Sequence, residues 1–153
     1  MMGTKELAEF LEEANRHTYA AGAQHTTSTR LGSNNFEYKR GELLYHDTYF
    51  GPRDFLGNEI VYKNEKPVWG LNYHGFILDD SYTNDEVYTF LKKALMQKPD
   101  DTLPVRGPLE YADGVWTYGN KVEGELGRLQ GEETIAHKGK IVYRCLYHGG
   151  WIH

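Results

Sequence analysis

Cysteine is nearly absent from this chain: Cys145 stands alone among 153 residues, so no intrachain disulfide can form. No stretch approaches the ~18 apolar residues of a membrane span. The N-terminus Met1-Met2-Gly3-Thr4-Lys5-Glu6 lacks a secretory apolar core, and a cytoplasmic protein without membrane attachment is expected. Positive charge is in deficit, with 17 Lys and Arg against 22 Asp and Glu and a formal net charge of −5. Displacing counterions from phosphates needs a positive face, so direct nucleic-acid binding is not expected. Metal-ligand spacings of the HxH, HxxxH or CxxC kind are missing. Gly119, Gly124, Gly127 and Gly131 form no GxGxxG or GxxxxGK cradle and read as turns and strand bends. No cofactor or metal is implied.

What the chain has is aromatic side chains, at 14% of residues, with 12 tyrosines. Tyrosine suits half-buried strands, because the ring packs while the hydroxyl reaches a partner. Much of this content falls in an internal repeat. Phe36-Glu37-Tyr38 matches Leu109-Glu110-Tyr111 at an offset of 73, which continues to Tyr45 and Tyr118. Gly57-Asn58-Glu59 matches Gly131-Glu132-Glu133 at an offset of 74, carried on to Tyr73-His74-Gly75 and Tyr147-His148-Gly149. Leu7, Phe10, Leu11 and Ala14 correspond to Val87, Phe90, Leu91 and Ala94, each set one stripe of a helical period. The longer first helix-to-strand connection, Gly22 to Asn35, is rich in Gly, Ser, Thr and Asn and reads as an exposed loop.

The expected architecture is α+β: a tandem duplication of an α-β-β-β-β unit, with a bent antiparallel sheet, two helices on one face and a pseudo-two-fold. Residues 1–153 form one domain of two repeats, 4–77 and 84–152, connected through a proline-containing segment, 99–108. Prolines 99, 104 and 108 make that segment extended, and Pro99 closes the second helix. Thr83-Asn84-Asp85-Glu86 is a capping box. Strands are predicted at 36–39, 42–50, 59–63, 67–77, 109–112, 115–123, 132–138 and 140–148. Tight turns at Arg40-Gly41, Asn64-Glu65, Asp113-Gly114 and Lys138-Gly139 make neighbours antiparallel. A half of roughly 75 residues has a thin core, so two halves sharing one core are favoured over two domains.

Val68-Trp69-Gly70-Leu71-Asn72-Tyr73-His74-Gly75, Arg106-Gly107-Pro108 and Tyr147-His148-Gly149-Gly150 resemble an uncharacterised bacterial and archaeal domain family. That domain stands alone or follows a helix-turn-helix module in regulator-like proteins. The resemblance implies a regulatory or ligand-sensing role and transfers no catalytic residue.

His74 and His148 are equivalent, and read as strand-end motifs in which a glycine permits a turn, rather than as a shared metal site. Cys145 stands opposite Leu71 and reads as a core position. Glu59 and Glu133 are equivalent, as are Glu37 and Glu110; charged strand faces usually meet solvent, so these read as structural. Polar or large residues present in one copy only mark an asymmetric site better: Arg53, Asp54, Asn72, His46 and Trp116, with Arg106 reaching toward the seam. The preferred reading is a small-molecule-binding or sensing module, not an enzyme. Its aromatic groove is built from Trp69, Tyr73, Trp116, Tyr118, Tyr143 and Tyr147, with Arg53 and Asn72 as polar contacts. Strand alternation puts Asn72 and His74 on the face opposite the aromatic set. The alternatives are an enzyme using Glu and His for acid–base work, and an interaction module, including a homodimer.

Overall fold

The computed structural model describes residues 2–27, 30–97 and 105–153. The prolines at 99 and 104, and residues 99–104 of the segment they were expected to stiffen, lie outside the described residues. Two helices, α1 (Thr4–His17) and α2 (Asn84–Leu95), each precede four strands. These are β1 (Asn34–Arg40), β2 (Leu43–Phe50), β3 (Phe55–Lys63) and β4 (Lys66–Ile77), then β5 (Glu110–Asp113), β6 (Trp116–Glu125), β7 (Arg128–His137) and β8 (Lys140–Trp151). The predicted stripes are the buried faces of both helices. The capping box on α2 is formed in both directions: Glu86 N–H donates to Thr83 Oγ1, and Thr83 N–H to the Glu86 carboxylate.

All eight strands join one antiparallel sheet in the order β1-β2-β3-β4-β8-β7-β6-β5. The long strands β4 and β8 meet at its centre, where Tyr73 lies opposite Tyr147. Tight turns at Asn64-Glu65 and Lys138-Gly139 place both residues at positive φ, the backbone that suits two-residue hairpins. One face of the sheet carries Tyr45, Val61, Trp69, Leu71, Tyr73, Tyr118, Ile135, Tyr143, Cys145 and Tyr147, and with the stripes of both helices it makes one buried cluster. Phe10 of α1 packs against Tyr38, and Phe90 of α2 stacks on Tyr111 and Trp116. Asn72, His74, Leu146 and His148 are exposed on the opposite face.

Three sequence expectations need correction. Strands β3 and β7 begin at Phe55 and Arg128, four residues ahead of the predicted starts. Gly57 and Gly131 lie inside them because each lies opposite a tyrosine, Tyr73 or Tyr147, whose ring crosses the space a Cβ would fill. The Tyr-His-Gly steps are likewise mid-strand rather than strand ends; Gly75 makes room for the Phe55 ring and not for a turn. The connection before β1 is not wholly exposed, since Ser33 and Asn35 are buried and Thr26 bridges to Asn35.

Candidate functional site

Strand alternation carries polar side chains into the interior. In β2, Tyr45, Asp47 and Tyr49 point the same way, and Asp47 lies directly opposite Glu59 of β3. In β6, Tyr118 and Asn120 do the same, with Asn120 opposite Glu133 of β7. Glu59 is 5% exposed and Glu133 is 0% exposed, so the expectation that these glutamates meet solvent is overturned. Their alternation phase puts them on the tyrosine-bearing face under the helices.

Each of these groups has a tyrosine partner. Tyr73 donates to Asp47 Oδ1 at 2.5 Å, and Tyr147 to Asn120 Oδ1 at 2.6 Å. Tyr118 donates to Glu133 Oε1 at 2.6 Å, and the Tyr45 hydroxyl is the one that favours the charged form of Glu59. Arg106, at positive φ, enters between the glutamates. Its Nη2 is 2.9 Å from Glu133 Oε2, its Nη1 is 3.7 Å from Glu59 Oε1, and its guanidinium lies 5.2 Å above the Tyr73 ring. The first distance is a close ion pair in which Glu133 Oε2 accepts no aligned hydrogen bond, and the second is too long for a hydrogen bond. Arg106 therefore belongs chiefly to Glu133.

Segment 105–107 fills the space beside Asn120. Asn120 Nδ2 donates to the carbonyls of Val105 and Gly107 at 3.1 and 3.2 Å, and Gly107 N–H donates to the Tyr118 hydroxyl. A Cβ on Gly107 would lie 2.7 Å from that hydroxyl, so only glycine allows this approach. Beside Asp47 no described segment enters, and the described residues border a cavity of about 560 Å³. Its floor is Asp47, Glu59, Tyr45 and Tyr73; α2 contributes Asn84, Asp85, Tyr88 and Lys92; Tyr19 and His25 come from the α1–β1 connection and Asn34 from the start of β1, and Arg106 closes one side. Asp47 Oδ2 has no hydrogen-bond donor among the described residues.

Burial pushes the Asp47 carboxyl up to about 6, against the opposing pull of the Tyr73 hydroxyl and Arg106. Burial and then the charge of Asp47 push Glu59 up to about 8. Burial also raises the Cys145 thiol, to about 12, which leaves it an inert core group.

Of the residues singled out from sequence, the fold brings Tyr73 and Arg106 to the cavity. Trp69, Tyr118, Tyr143 and Tyr147 lie in the core, Trp69 donating its indole N–H to the Leu126 carbonyl. Trp116 is half-buried against Phe90 and His137. Arg53 ties the chain ahead of α2, donating to the carbonyls of Asp79 and Tyr82 and to Asn84 Oδ1. Asn72 is exposed on the far face. Asp47 was missed, although the offset of 73 sets it opposite Asn120, a polar mismatch of the kind that marks an asymmetric site.

Fold and site define an α+β domain with a polar cavity between one sheet and two helices. The chain belongs to the family described as Domain of unknown function (DUF5680), whose profile matches residues 47–152, from Asp47 itself to the end of β8. No curated protein and no solved structure matches it. No helix among the described residues is long and apolar enough to cross a membrane.

Proposed function

We propose that this chain is a small-molecule-binding module made from two copies of an αββββ unit, with the ligand in the cavity of the first copy. The observation that carries the reading is the 560 Å³ cavity floored by buried carboxylates. Its size is that of a small-ligand pocket, and carboxylates are costly to bury with little more than one tyrosine hydroxyl each as partner. The duplication is supported by the sheet order, in which each unit of four consecutive strands runs outward from the centre, and by the pairing of Tyr73 with its own counterpart Tyr147. Segment 105–107 occupies beside Asn120 the space that no described segment occupies beside Asp47. A sensing role fits the resemblance to domains that follow a helix-turn-helix module.

Nuclear magnetic resonance of the full chain against mixtures of small organic molecules tests the reading. Shifts are expected for the amides of Asp47, Glu59, Tyr73, Tyr88 and Arg106. Responses confined to the far face, around His74 and His148, or none at all, would rule the cavity out as the site.

A second reading has one observation in its favour. Asp47 and Glu59 are cross-strand neighbours held at unlike values, about 6 and about 8, which is how a carboxylate pair divides the roles of base and acid. A ligand found in the screen and then consumed by the wild-type chain, but not by Glu59→Gln, would make the module an enzyme.

A further inference from the structure

We propose that the cavity selects an organic cation, a protonated amine on an apolar or aromatic body, with its ammonium group at Asp47 and Glu59. This rests on the cavity being the binding site and names the chemistry it recognises.

The charges leave a gap of this sign. Three carboxylates, Asp47, Glu59 and Glu133, are buried around one guanidinium, and Arg106 is committed at 2.9 Å to Glu133, the member that does not face the cavity. The two that do face it share only a 3.7 Å contact with Arg106 and the hydroxyls of Tyr45 and Tyr73.

The second unit shows that the fold itself does not need a charge at this place. Asn120 sits on β6 as Asp47 sits on β2, under Tyr147 as Asp47 sits under Tyr73, and takes the same hydroxyl hydrogen bond. An amide suffices where the chain fills the space with its own carbonyls. Where the space is open, the amide is replaced by a carboxylate whose second oxygen is left for a donor from outside.

The walls fit an organic body better than a metal ion. Calcium and magnesium require six or more oxygen ligands, and two carboxylates among rings do not supply them. Tyr45, Tyr88 and Phe55 offer ring surface, and Tyr73 already faces a cation. Ring faces attract ammonium groups, most strongly when water is excluded.

When no ligand is bound, Glu59 keeps its proton at neutral pH. Around the pair, Arg106 and Tyr73 favour its loss, while the other ionisable groups among the described wall residues are Asp85 and Lys92, His25, and the hydroxyls of Tyr19, Tyr45, Tyr49 and Tyr88. An incoming ammonium releases that proton to solvent, so amine affinity increases with pH while Glu59 remains protonated, up to about 8.

The test is calorimetry on the full chain with phenethylamine, phenethyl alcohol and phenylacetate, which share a ring and differ in charge. The amine is expected to bind at least about tenfold more tightly than either analogue, roughly a 1.4 kcal/mol preference. Its affinity is expected to strengthen between about pH 6 and about pH 8, with proton release seen as a dependence of the heat on buffer. Asp47→Asn is expected to abolish the preference with little change in Tm, as the Asn120 site implies. Glu59→Gln is the second variant and should remove the pH dependence. Equal binding of amine and alcohol, or tightest binding of phenylacetate, overturns the cation assignment and keeps the pocket. Binding of none of the three overturns the assignment and the binding reading together.

Discussion

Glu59 is a carboxyl group whose surroundings favour its neutral form, and the sign of its effect on stability follows. Its value rises from an ordinary 4.5 to about 8, so between those pH values the folded chain holds a proton that the unfolded chain has released. Stability from this group is complete below about pH 4.5 and is lost as pH climbs through about 8. Asp47 acts in the same direction between 3.8 and about 6. Each group changes stability by at most ~1.4 kcal/mol per pH unit. Urea unfolding should therefore show Glu59→Gln gaining on the wild type as pH rises from about 5 to about 8, and a parallel pair of curves would refute the assignment. Arg106 behaves oppositely. Replacing it with Leu strands Glu133, which is 0% exposed, and should cost ~3–5 kcal/mol, much of it recovered in Arg106→Leu with Glu133→Gln. Arg106 was legible in the sequence only as a residue of the connecting segment placed to reach toward the seam. Asp47 was not, because a carboxylate in a strand is ordinarily read as facing water, and only the phase shared with Tyr45 and Tyr49 says otherwise.

The elements were almost all legible, since helix stripes, the capping box and hairpin turns are local signals. Their edges were less so: Gly57 and Gly131 look like strand breakers until the tyrosine packed across each of them is known. Gly131→Ala puts a Cβ into the Tyr147 ring and should cost ~1–3 kcal/mol in denaturant titrations, an overpacking effect. Helix α2 both caps the second unit, through Phe90, and walls the cavity, through Tyr88 and Lys92. Thr83→Ala removes its capping box and should lower stability by ~1 kcal/mol. Amide exchange should quicken first in the α2 turn that carries Asn84 and Asp85, and unchanged exchange there would count against the cap as the source.

For the molecule as a whole, the pairing of β4 with β8 is the junction on which the shared interior depends. Separating the chain after Asp80, between β4 and α2, should leave two fragments that are unfolded alone, because each would expose a long central strand edge and one side of the buried cluster. Mixing the fragments should restore the circular dichroism of the intact chain. A fragment that folds by itself would show that its unit does not need the other. In the intact protein, slowest amide exchange is expected in β4 and β8, and fastest in the four-residue edge strand β5.

By itself the sequence determined the periodicities: two amphipathic helices, eight strands, their turns, and the matching of one stretch with another. Those features are set by residues a few positions apart, through dihedral preference and the alternation of apolar side chains. The tertiary structure alone decided which polar groups ended up inside and which space was left vacant. Burial of Asp47, Glu59 and Glu133, the commitment of Arg106 to one of them, and the filling of one unit by segment 105–107 depend on contacts between residues far apart in the chain. A carboxylate carries no local mark of the dielectric it will meet, because that property belongs to its neighbours in space.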